Sequence, residues 1–273
     1  MVWLSGELVP AAKAVVSVFD HGLTVGDGVF ETMKIVDGQP FALTRHLARL
    51  ARSATGIGLA VPFDDDALRR ALADTIAANR LSEGRARITV TAGVAPLGSD
   101  RDTSRPTVIV ATAPRPARPA AATVVTVPWP RNERSAVAGL KTTSYAENVV
   151  ALAFARERGA DEAIFPNTTG ALCEGTGANV FVAHDGVLTT PPLSSGCLAG
   201  VTRELLLETV PVEERDLPIT ALAEAEEAFL TSSTRDVQPI ERVDGRRLPA
   251  APGPLTRQAM EALAALEARD LDP

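Results

Sequence analysis

A proline-rich stretch near the middle of the chain is the feature that most constrains its fold. The segment "PRPARPAAA" at 114–122 contains no large apolar side chain. Proline fixes φ and lacks an N–H group, so such a segment extends neither a helix nor a central strand. Because strand-like and helix-like segments lie on both sides of it, we predict an α+β fold of two domains. The predicted domains are 1–115 and a larger one at 123–273, joined by a linker at 116–122.

The composition is that of an ordinary globular protein, and it argues against several kinds of binding partner. A net charge of -7 without a long basic run argues against a nucleic-acid surface. The apolar runs are too short to span a bilayer, and "MVWLSGELVP" lacks the regions of a signal peptide. Cys173 and Cys197 do not have a metal-binding spacing. We therefore expect a cytoplasmic protein with no metal, nucleic-acid or membrane partner.

Periodicity and turn residues predict the elements of each half. In the N-terminal half we predict a hairpin in "VWLSGELVP", paired strands in "GVFETMKIVDGQPFAL", helices in "TRHLARLARSATGIG" and "DDDALRRALADTIAANR", and strands in "RARITVTAGV" and "PTVIVATAP". In the C-terminal half we predict strands in "TVVTVPW", across 162–192 and in "EAFLTSS", and helices in "SYAENVVALAFARERG", "AGVTRELLLETV" and "GPLTRQAMEALAALEARD".

Lysine is rare in this chain, which makes Lys141 a candidate nucleophile. The 27 basic residues include only Lys13, Lys34 and Lys141 as lysines. Arginine stays protonated, so it cannot replace lysine where a neutral amine must attack a carbonyl. We place Lys141 between a strand at Gly139-Leu140 and a helix start that Thr142, Thr143 and Ser144 can cap. An ordinary solvated lysine is the alternative.

A lone carboxylate, Glu174, stands among small and apolar residues in "CEGTGANVF". Carboxylates are rarely buried without a partner. A protonated pyridine ring would be such a partner, since a retained negative charge keeps the proton on its nitrogen. The alternative, given equal weight, is that Glu174 caps a turn made by Gly175 and Gly177.

A multi-part motif around Glu174 resembles the signature of the class-IV, fold-type IV pyridoxal-phosphate enzymes. It runs through "EGTGANVF", "LTTPP" and "LAGVTRE", and the resemblance extends to "VGDGVFET", "LTRHLARL" and "FLTSSTRDVQPI". Its parts are Glu174, Asn179, Phe181, Thr190 and the run from Gly200 to Arg203. The resemblance implies a two-domain α+β fold with the active site between the domains, and pyridoxal 5'-phosphate as cofactor.

The resemblance also implies roles for individual residues. Lys141 would hold the cofactor as an aldimine and move the proton, and Glu174 would pair with the ring nitrogen. The expected phosphate-binding residues are Arg45, Val201, Thr202, Ser233 and Thr234. Tyr145 either bonds the cofactor hydroxyl or packs against a helix.

Four residues are the expected contacts to substrate: Arg101, Phe30, His21 and Thr234. Arg101 lies in the loop "PLGSDRD", where it can form a charge-assisted pair with a carboxylate. The alternative is a surface pair with Asp100 or Asp102. His46 and His184 are expected to be structural or exposed.

The family contains several activities, and the resemblance leaves more than one open. We favour a transaminase that acts on D-amino acids, with (R)-amines as further donors, through a pyridoxamine intermediate. The alternative is an aminodeoxychorismate lyase that releases pyruvate and 4-aminobenzoate. A branched-chain aminotransferase is less favoured because Phe30 and Thr32 stand where such enzymes carry a tyrosine and a glycine. A non-catalytic cofactor carrier is disfavoured by the presence of both Lys141 and Glu174. The family also implies a homodimer with an amino donor and a keto acid as substrates.

Overall fold

The computed structural model describes residues 1–101 and 105–273. They form two compact units whose members are not contiguous along the chain. The first comprises Met1–Pro116, Leu140–Tyr145 and Asp270–Pro273, and the second Ala117–Gly139 and Ala146–Arg269. The change of unit after Pro116 falls within the proline-rich stretch, whereas 140–145 and 270–273 join the first unit from positions distant in sequence. The domain division drawn from the sequence stays a prediction.

The described part of the first unit contains six strands and three α-helices. They are β1 (Val2–Leu4), β2 (Glu7–Val9), α1 (His21–Thr24), β3 (Gly28–Val36), β4 (Gln39–Pro40), α2 (Leu43–Gly56), α3 (Asp65–Asn79), β5 (Gly84–Thr91) and β6 (Thr107–Ala113). The strands form an antiparallel sheet in the order β2-β1-β6-β5-β3-β4.

One face of this sheet and the helices α2 and α3 share a single apolar core. Alternate residues of β3, such as Val29 and Met33, pack in it with Leu47 of α2 and Leu72 of α3. Alternation along β3 therefore directs Phe30 and Thr32 to the opposite face of the sheet. Local signals explain the ends of the elements. The Asp64 side chain, for example, accepts a hydrogen bond from Ala67 N at 2.8 Å and so caps α3.

The second unit is a mixed sheet with four helices in its described residues. Its elements are β7 (Ala122–Thr126), α4 (Ala146–Glu157), β8 (Glu162–Pro166), β9 (Leu172–Gly175), β10 (Asn179–His184), β11 (Val187–Thr190), α5 (Val201–Thr209), β12 (Glu213–Glu214), α6 (Ala221–Glu224), β13 (Glu227–Ser232), β14 (Asp236–Val243), β15 (Arg246–Arg247) and α7 (Pro254–Arg269). The strand order is β12-β11-β10-β13-β14-β7-β8-β9, with β15 paired to β14.

Parallel pairing occurs where β7 meets β8 and β14, and where β11 meets β12. Side chains from β10, β13 and β14 form an apolar core that includes Val180, Leu230 and Ile240. Strand alternation directs Asn179 and Thr231, which are cross-strand partners, to the other face of β10 and β13. No helix in the described ranges has the length and apolar character that crossing a bilayer requires.

Most of the predicted elements are confirmed, and one is wrong. Every helix and strand predicted from periodicity is present within a few residues of its predicted bounds. The strand predicted at Gly139-Leu140 is absent, because Gly139 has a φ of 72° and ends a turn. The helix after it begins only at Ala146, and the hydroxyls of Thr143 and Ser144 donate to the carbonyl of Gly26 instead of capping it.

Candidate functional site

The main chain of Lys141 is fixed on both sides within the first unit. Its N–H donates to Ser53 Oγ of α2 at 3.1 Å, and its carbonyl accepts from Phe30 N of β3 at 3.0 Å. Thr142 forms an antiparallel bridge with Val29. The segment thus extends the edge of β3 where that strand begins. Lys141 therefore lies on a short extended segment with a fixed main chain, and not on a flexible loop.

The Lys141 side chain lies against aromatic rings on the sheet face opposite α2. Its Nζ is 4.3 Å from the centroid of the Phe30 ring and 5.9 Å from that of Tyr145. The two rings pack edge to face, and the guanidinium of Arg87 stacks on Phe30 at 3.6 Å. Burial lowers the pKa of Arg87. Tyr145 therefore packs on a strand residue of β3, whereas packing against a helix was expected, and its contact to a cofactor stays a prediction.

A buried ionic network lies on the other face of β3. Glu31 accepts hydrogen bonds from Arg49 Nε at 2.7 Å, from its terminal nitrogen at 2.8 Å, and from His46 Nδ1 at 2.6 Å. Burial lowers the pKa of His46 despite the Glu31 carboxylate, which acts to raise it. His46 therefore has a structural role, one of the two expected for it.

Arg45, the arginine expected to bind phosphate, makes a contact at the start of α2. Its Nε donates to the main-chain oxygen of Pro273 at 2.8 Å. The nearby N–H of Thr44 donates to Asp272 Oδ1 at 2.7 Å. Arg49, one helical turn further on, is 5% exposed and points into the unit. Its guanidinium donates to Glu31, a pairing that sequence reasoning missed.

Arg101 is engaged by Asp27 and by the end of α2. Its Nε and one terminal nitrogen bind the two Asp27 oxygens at 2.6 and 2.5 Å, and the other terminal nitrogen donates to the carbonyls of Ile57 and Gly58 at 2.7 and 2.9 Å. The expected alternative partner Asp102 lies outside the described residues. A substrate carboxylate would have to replace Asp27 at this guanidinium, so the substrate role of Arg101 stays a prediction.

His21 is buried beside the same carboxylate. Its Nε2 lies 2.8 Å from the carbonyl of Pro96, and its Nδ1 lies 3.6 Å from Asp27 Oδ2. His21 is fully buried, so this ring links the segment before β3 to the loop after β5. A substrate contact by His21 stays a prediction.

In the second unit, Glu174 is a mostly buried carboxylate with two polar contacts. It lies on β9, where its side chain is 14% exposed, and its Oε1 is 3.2 Å from Arg131 Nε. Its Oε2 accepts from Leu198 N at 2.9 Å. Arg131 also donates to Asn148 and stacks on Phe165. These two contacts fix the position of the Glu174 carboxylate, as a partner for a ring cation requires.

In the loop before α5, both main-chain polar groups of Leu198 are hydrogen-bonded to side chains. The N–H of Leu198 is bound by Glu174, and its carbonyl accepts from Asn179 Nδ2 at 2.8 Å. A methyl group on Gly200 would overlap the side-chain oxygen of Asn179. Only glycine therefore allows this close approach, and α5 begins at the next residue, Val201.

The first turn of α5 and the β13–β14 turn carry the other expected phosphate ligands. Val201 and Thr202 are the first residues of α5, whose unpaired N–H groups and dipole favour an anion. Ser233 and Thr234 lie in the turn between β13 and β14. Among the described residues, Thr231 Oγ1 is buried without a hydrogen-bond partner. Thr231 is the cross-strand partner of Asn179, so its hydroxyl is an available hydrogen-bond donor on the α5 side of the sheet.

The two cysteines are buried and poorly suited to nucleophilic chemistry. Burial raises the pKa of Cys197 to about 11 and raises that of Cys173 as well. Both remain thiols at neutral pH, as expected for small core residues.

Comparisons with known proteins place this arrangement among enzymes. A family model described as Amino-transferase class IV matches residues 28–243. A putative branched-chain-amino-acid aminotransferase from Methanocaldococcus jannaschii is 34% identical, over 90% of this chain and 88% of its own. A D-alanine aminotransferase from Bacillus licheniformis is 32% identical, over 96% of this chain and 95% of its own.

A solved structure shows that the fold is shared as well. The branched-chain aminotransferase of Thermoproteus uzoniensis, solved with norvaline, matches with a TM-score of 0.91 and 33% identity. The match covers 97% of this chain and 93% of that one. The predicted α+β fold of the fold-type IV enzymes is thereby confirmed.

Proposed function

The chain belongs to the class IV aminotransferase family, whose enzymes depend on pyridoxal phosphate, and we propose that it transfers an amino group between a D-amino acid and a 2-oxo acid. (R)-amines are a further class of donor in this proposal. The alternative is the lyase reaction that releases pyruvate and 4-aminobenzoate from aminodeoxychorismate.

The position of Lys141 is the observation that supports a group-transfer reaction most. Lys34 is 1% exposed, and its Nζ lies over the Phe41 ring. Lys13 is exposed in a short 3-10 turn. Lys141 combines partial exposure with a main chain bonded to both β3 and α2. Of the three lysines, it is the one that is partly exposed while its main chain is hydrogen-bonded to both β3 and α2.

The residues of each unit suit the chemistry of pyridoxal phosphate. In the first unit, Lys141 would supply the amine that binds the cofactor, and Phe30 and Tyr145 would surround it. In the second unit, Glu174 would face the ring nitrogen. The first turn of α5, with the hydroxyls of Ser233 and Thr234, would bind the phosphate. The buried Thr231 hydroxyl, which lacks a partner in the described residues, supports this assignment.

Each proposed residue has a defined task in the reaction. When bound, pyridoxal phosphate supplies an electrophilic carbon for the amino group and a ring that withdraws electrons from the substrate Cα. The Nζ of Lys141, acting as a neutral amine, would take the proton from the substrate Cα and deliver it to C4′ of the cofactor. Glu174, whose carboxylate lies beside Arg131 Nε and accepts from Leu198 N, would place a negative charge at the ring nitrogen. A guanidinium in place of Lys141 could perform neither step.

The preference for D-amino acids is supported by relatives and by the residues of β3. Several relatives bear the name D-alanine aminotransferase, with 29–32% identity over at least 89% of this chain. Phe30 and Thr32 of β3 stand where branched-chain aminotransferases carry a tyrosine and a glycine, which disfavours that alternative. The name of the M. jannaschii relative and the T. uzoniensis structure make L-branched-chain donors the comparison that any assay must include.

We also propose that the enzyme is a homodimer. The segments 15–25 and 94–97 of the first unit run side by side, joined by the Asp20–Val94 bridge and by Ala95 N donating to Phe19 O. They expose a group of large apolar side chains: Val15, Val16, Val18, Phe19, Leu23, Val25, Val94 and Leu97. Adjacent exposed apolar residues on a monomer favour burial against a second copy.

The half-reaction tests the proposed function. The purified holoenzyme is mixed separately with D-alanine, D-glutamate, L-leucine and (R)-1-phenylethylamine, and its cofactor absorption is recorded. We expect D-amino acids to convert the spectrum to that of the pyridoxamine form and L-leucine to leave it unchanged. Lys141→Ala should show neither the initial band nor the conversion.

Other outcomes would assign the protein elsewhere in the family. Conversion by L-leucine alone would place the enzyme among branched-chain aminotransferases. A spectrum unchanged by every donor, with release of pyruvate from aminodeoxychorismate, would make it a lyase.

A further inference from the structure

A buried ion pair in the second unit connects two turns that carry proposed site residues. Glu162, the first residue of β8, and Arg235, which precedes β14, have side chains 2% and 6% exposed. A terminal nitrogen of Arg235 donates to Glu162 Oε2. Neither residue is among those proposed to bind the cofactor or the substrate. We call this pair and Thr176 the Glu162 clamp.

One arm of the Glu162 clamp holds the turn that follows Glu174. Glu162 Oε1 accepts from Thr176 N at 3.1 Å and from the Thr176 hydroxyl. A Cβ on Gly175 would lie 3.2 Å from the Cγ of Glu162. The carboxylate thus lies directly beneath the main chain at 175–176. This turn links Glu174 to β10 and therefore influences where both are placed.

The other arm holds the turn between β13 and β14. Arg235 follows Ser233 and Thr234 directly, and its second terminal nitrogen donates to Gln238 Oε1 at 2.6 Å. Gln238 in turn donates from Nε2 to the carbonyl of Pro119 at 2.8 Å. The guanidinium is therefore held at both ends. A turn of three residues anchored by a fixed arginine has little freedom to move its hydroxyl groups.

The energetics of buried ion pairs favour a positioning role over a purely stabilising one. Removing two charges from water offsets most of their attraction, so apolar residues of equal volume often stabilise a fold as well. A network of directional, charge-assisted hydrogen bonds also fixes the relative positions of the groups that it joins. The clamp connects two turns that are distant in sequence. The relative position of these turns decides whether both can contact the same ligand.

We propose that Glu162 and Arg235 are positioning residues that set the hydroxyl groups of the 233–234 turn for the cofactor phosphate and fix the 175–176 turn beside Glu174. This inference rests on the proposed function, because it takes Ser233 and Thr234 as phosphate ligands. It predicts that the clamp contributes to binding of pyridoxal phosphate but not of pyridoxal, which lacks the phosphate.

The test compares the dissociation constants of pyridoxal phosphate and pyridoxal for the full chain freed of cofactor. The ratio used here is the dissociation constant of pyridoxal divided by that of pyridoxal phosphate. We expect Arg235→Gln to lower this ratio roughly tenfold below its wild-type value, which is the effect of misplacing one or two hydrogen bonds to a charged group. Glu162→Gln should do the same. Arg242→Gln, an exposed arginine on β14, is the matched control and should keep the wild-type ratio.

The double variant Glu162→Gln with Arg235→Gln separates positioning from stability. Each single change leaves a buried charge unpaired and should lower the unfolding temperature. The double variant leaves no charge, so its unfolding temperature should recover while its ratio stays low. A wild-type ratio in the double variant would overturn the proposal. So would equal losses of affinity for both ligands, which indicate a general structural defect.

Failure of this inference can be told apart from failure of the proposed function. The ratio is a binding measurement and involves no amino donor. If no D-amino acid reacts but the clamp variants lower the ratio, the clamp stands and the substrate assignment falls. If the wild-type protein binds both ligands equally well, the clamp proposal falls whatever the donor assay shows.

Discussion

Glu31 carries a charge where charges are costly. It is fully buried on β3, where burial alone would raise its pKa. The guanidinium of Arg49, with a smaller contribution from His46, outweighs burial and holds the pKa of Glu31 well below its usual range. Glu31 therefore stays ionised at every pH at which the enzyme would work. It links β3, which anchors Lys141, to α2.

Replacing Glu31 by glutamine should destabilise the protein strongly. The change leaves the buried Arg49 guanidinium without its counter-charge, and breaking a buried pair in this way costs about 3–5 kcal/mol. We expect the free energy of unfolding in urea at pH 7 to fall by that amount. Glu7→Gln, at an exposed position on β2, is the control and should change it by less than about 0.5 kcal/mol.

The same variant should show a specific dependence on pH. Since the folded-state pKa of Glu31 is depressed, its stabilisation is fully present above the unfolded-state pKa of about 4.3. It is lost as the pH falls below that value toward the folded-state pKa. The stability difference between wild type and Glu31→Gln should therefore shrink below about pH 4. A difference that stays constant down to pH 3 would show that the charge of Glu31 is not its cause.

At the scale of residues, the sequence singles out candidate groups for chemistry, but it does not reveal which residues contact them. Lys141 and Glu174 stand out because an amine is rare here and a carboxylate is unusual among apolar neighbours. The partners of buried charges lie far along the chain, such as Arg235, which is 73 residues from Glu162. Nothing in the sequence near Arg131 indicates its contact with Glu174. Such pairs arise only when strands and turns are brought together.

At the scale of elements, the start of α5 is set by a close contact with β10. Gly200 lies against the Asn179 side chain, which holds the carbonyl of Leu198. The φ of Gly200 is -72°, so glycine is needed here for space and not for its backbone conformation. The approach of helix to strand determines where the first N–H groups of α5 point.

Gly200→Ala should weaken both the fold and cofactor binding. The added methyl group must displace Asn179 or the helix, and overpacking of this kind costs about 1–3 kcal/mol. We expect a lower unfolding temperature without cofactor and a higher dissociation constant for pyridoxal phosphate. Gly177→Ala is the matched control for stability, since a Cβ there meets no atom within 4 Å. Equal unfolding temperatures for the two variants would contradict the packing argument.

Elements with strong periodicity were predictable, and those without it were not. The helix α2 has a clear apolar stripe and glycines at its end, and it runs from Leu43 to Gly56. The local signals do not predict the strand β14, and Pro239 in its centre is a residue that is unfavourable in a central strand. In the structure Pro239 pairs with Phe229 of β13, and the register with β7 shifts just after it. Cross-strand pairing overrides the local signal.

At the scale of the whole molecule, membership of a unit follows pairing more than sequence order. Residues 140–145 belong to the first unit because Thr142 bridges Val29. Residues 270–273 belong to it because Asp272 accepts hydrogen bonds from Thr44 at the start of α2. Composition can locate the proline-rich stretch but cannot reveal such returns of the chain. The lysine that the proposed chemistry requires lies in one of them.

The exposed apolar group of the first unit makes the proposed dimer testable. Leu97 is 73% exposed in this chain. A two-fold interface would bury it twice, and each buried leucine contributes about 1.5–3 kcal/mol. Leu97→Asp should therefore raise the dimer dissociation constant by roughly 10²–10⁴-fold. Sedimentation velocity over a range of protein concentrations measures this constant directly.

A control on another surface decides whether the effect belongs to this group of residues. Met260 on α7 is 39% exposed and lies outside the group, so Met260→Asp adds the same charge without touching the proposed interface. We expect it to sediment as the wild-type dimer does. A monomeric wild-type protein, or a Leu97→Asp variant that remains as dimeric as Met260→Asp, would show that residues 15–25 and 94–97 are not where two copies meet. Dissociation of the Leu97→Asp variant alone would locate the interface on the first unit, whose own segments also anchor Lys141.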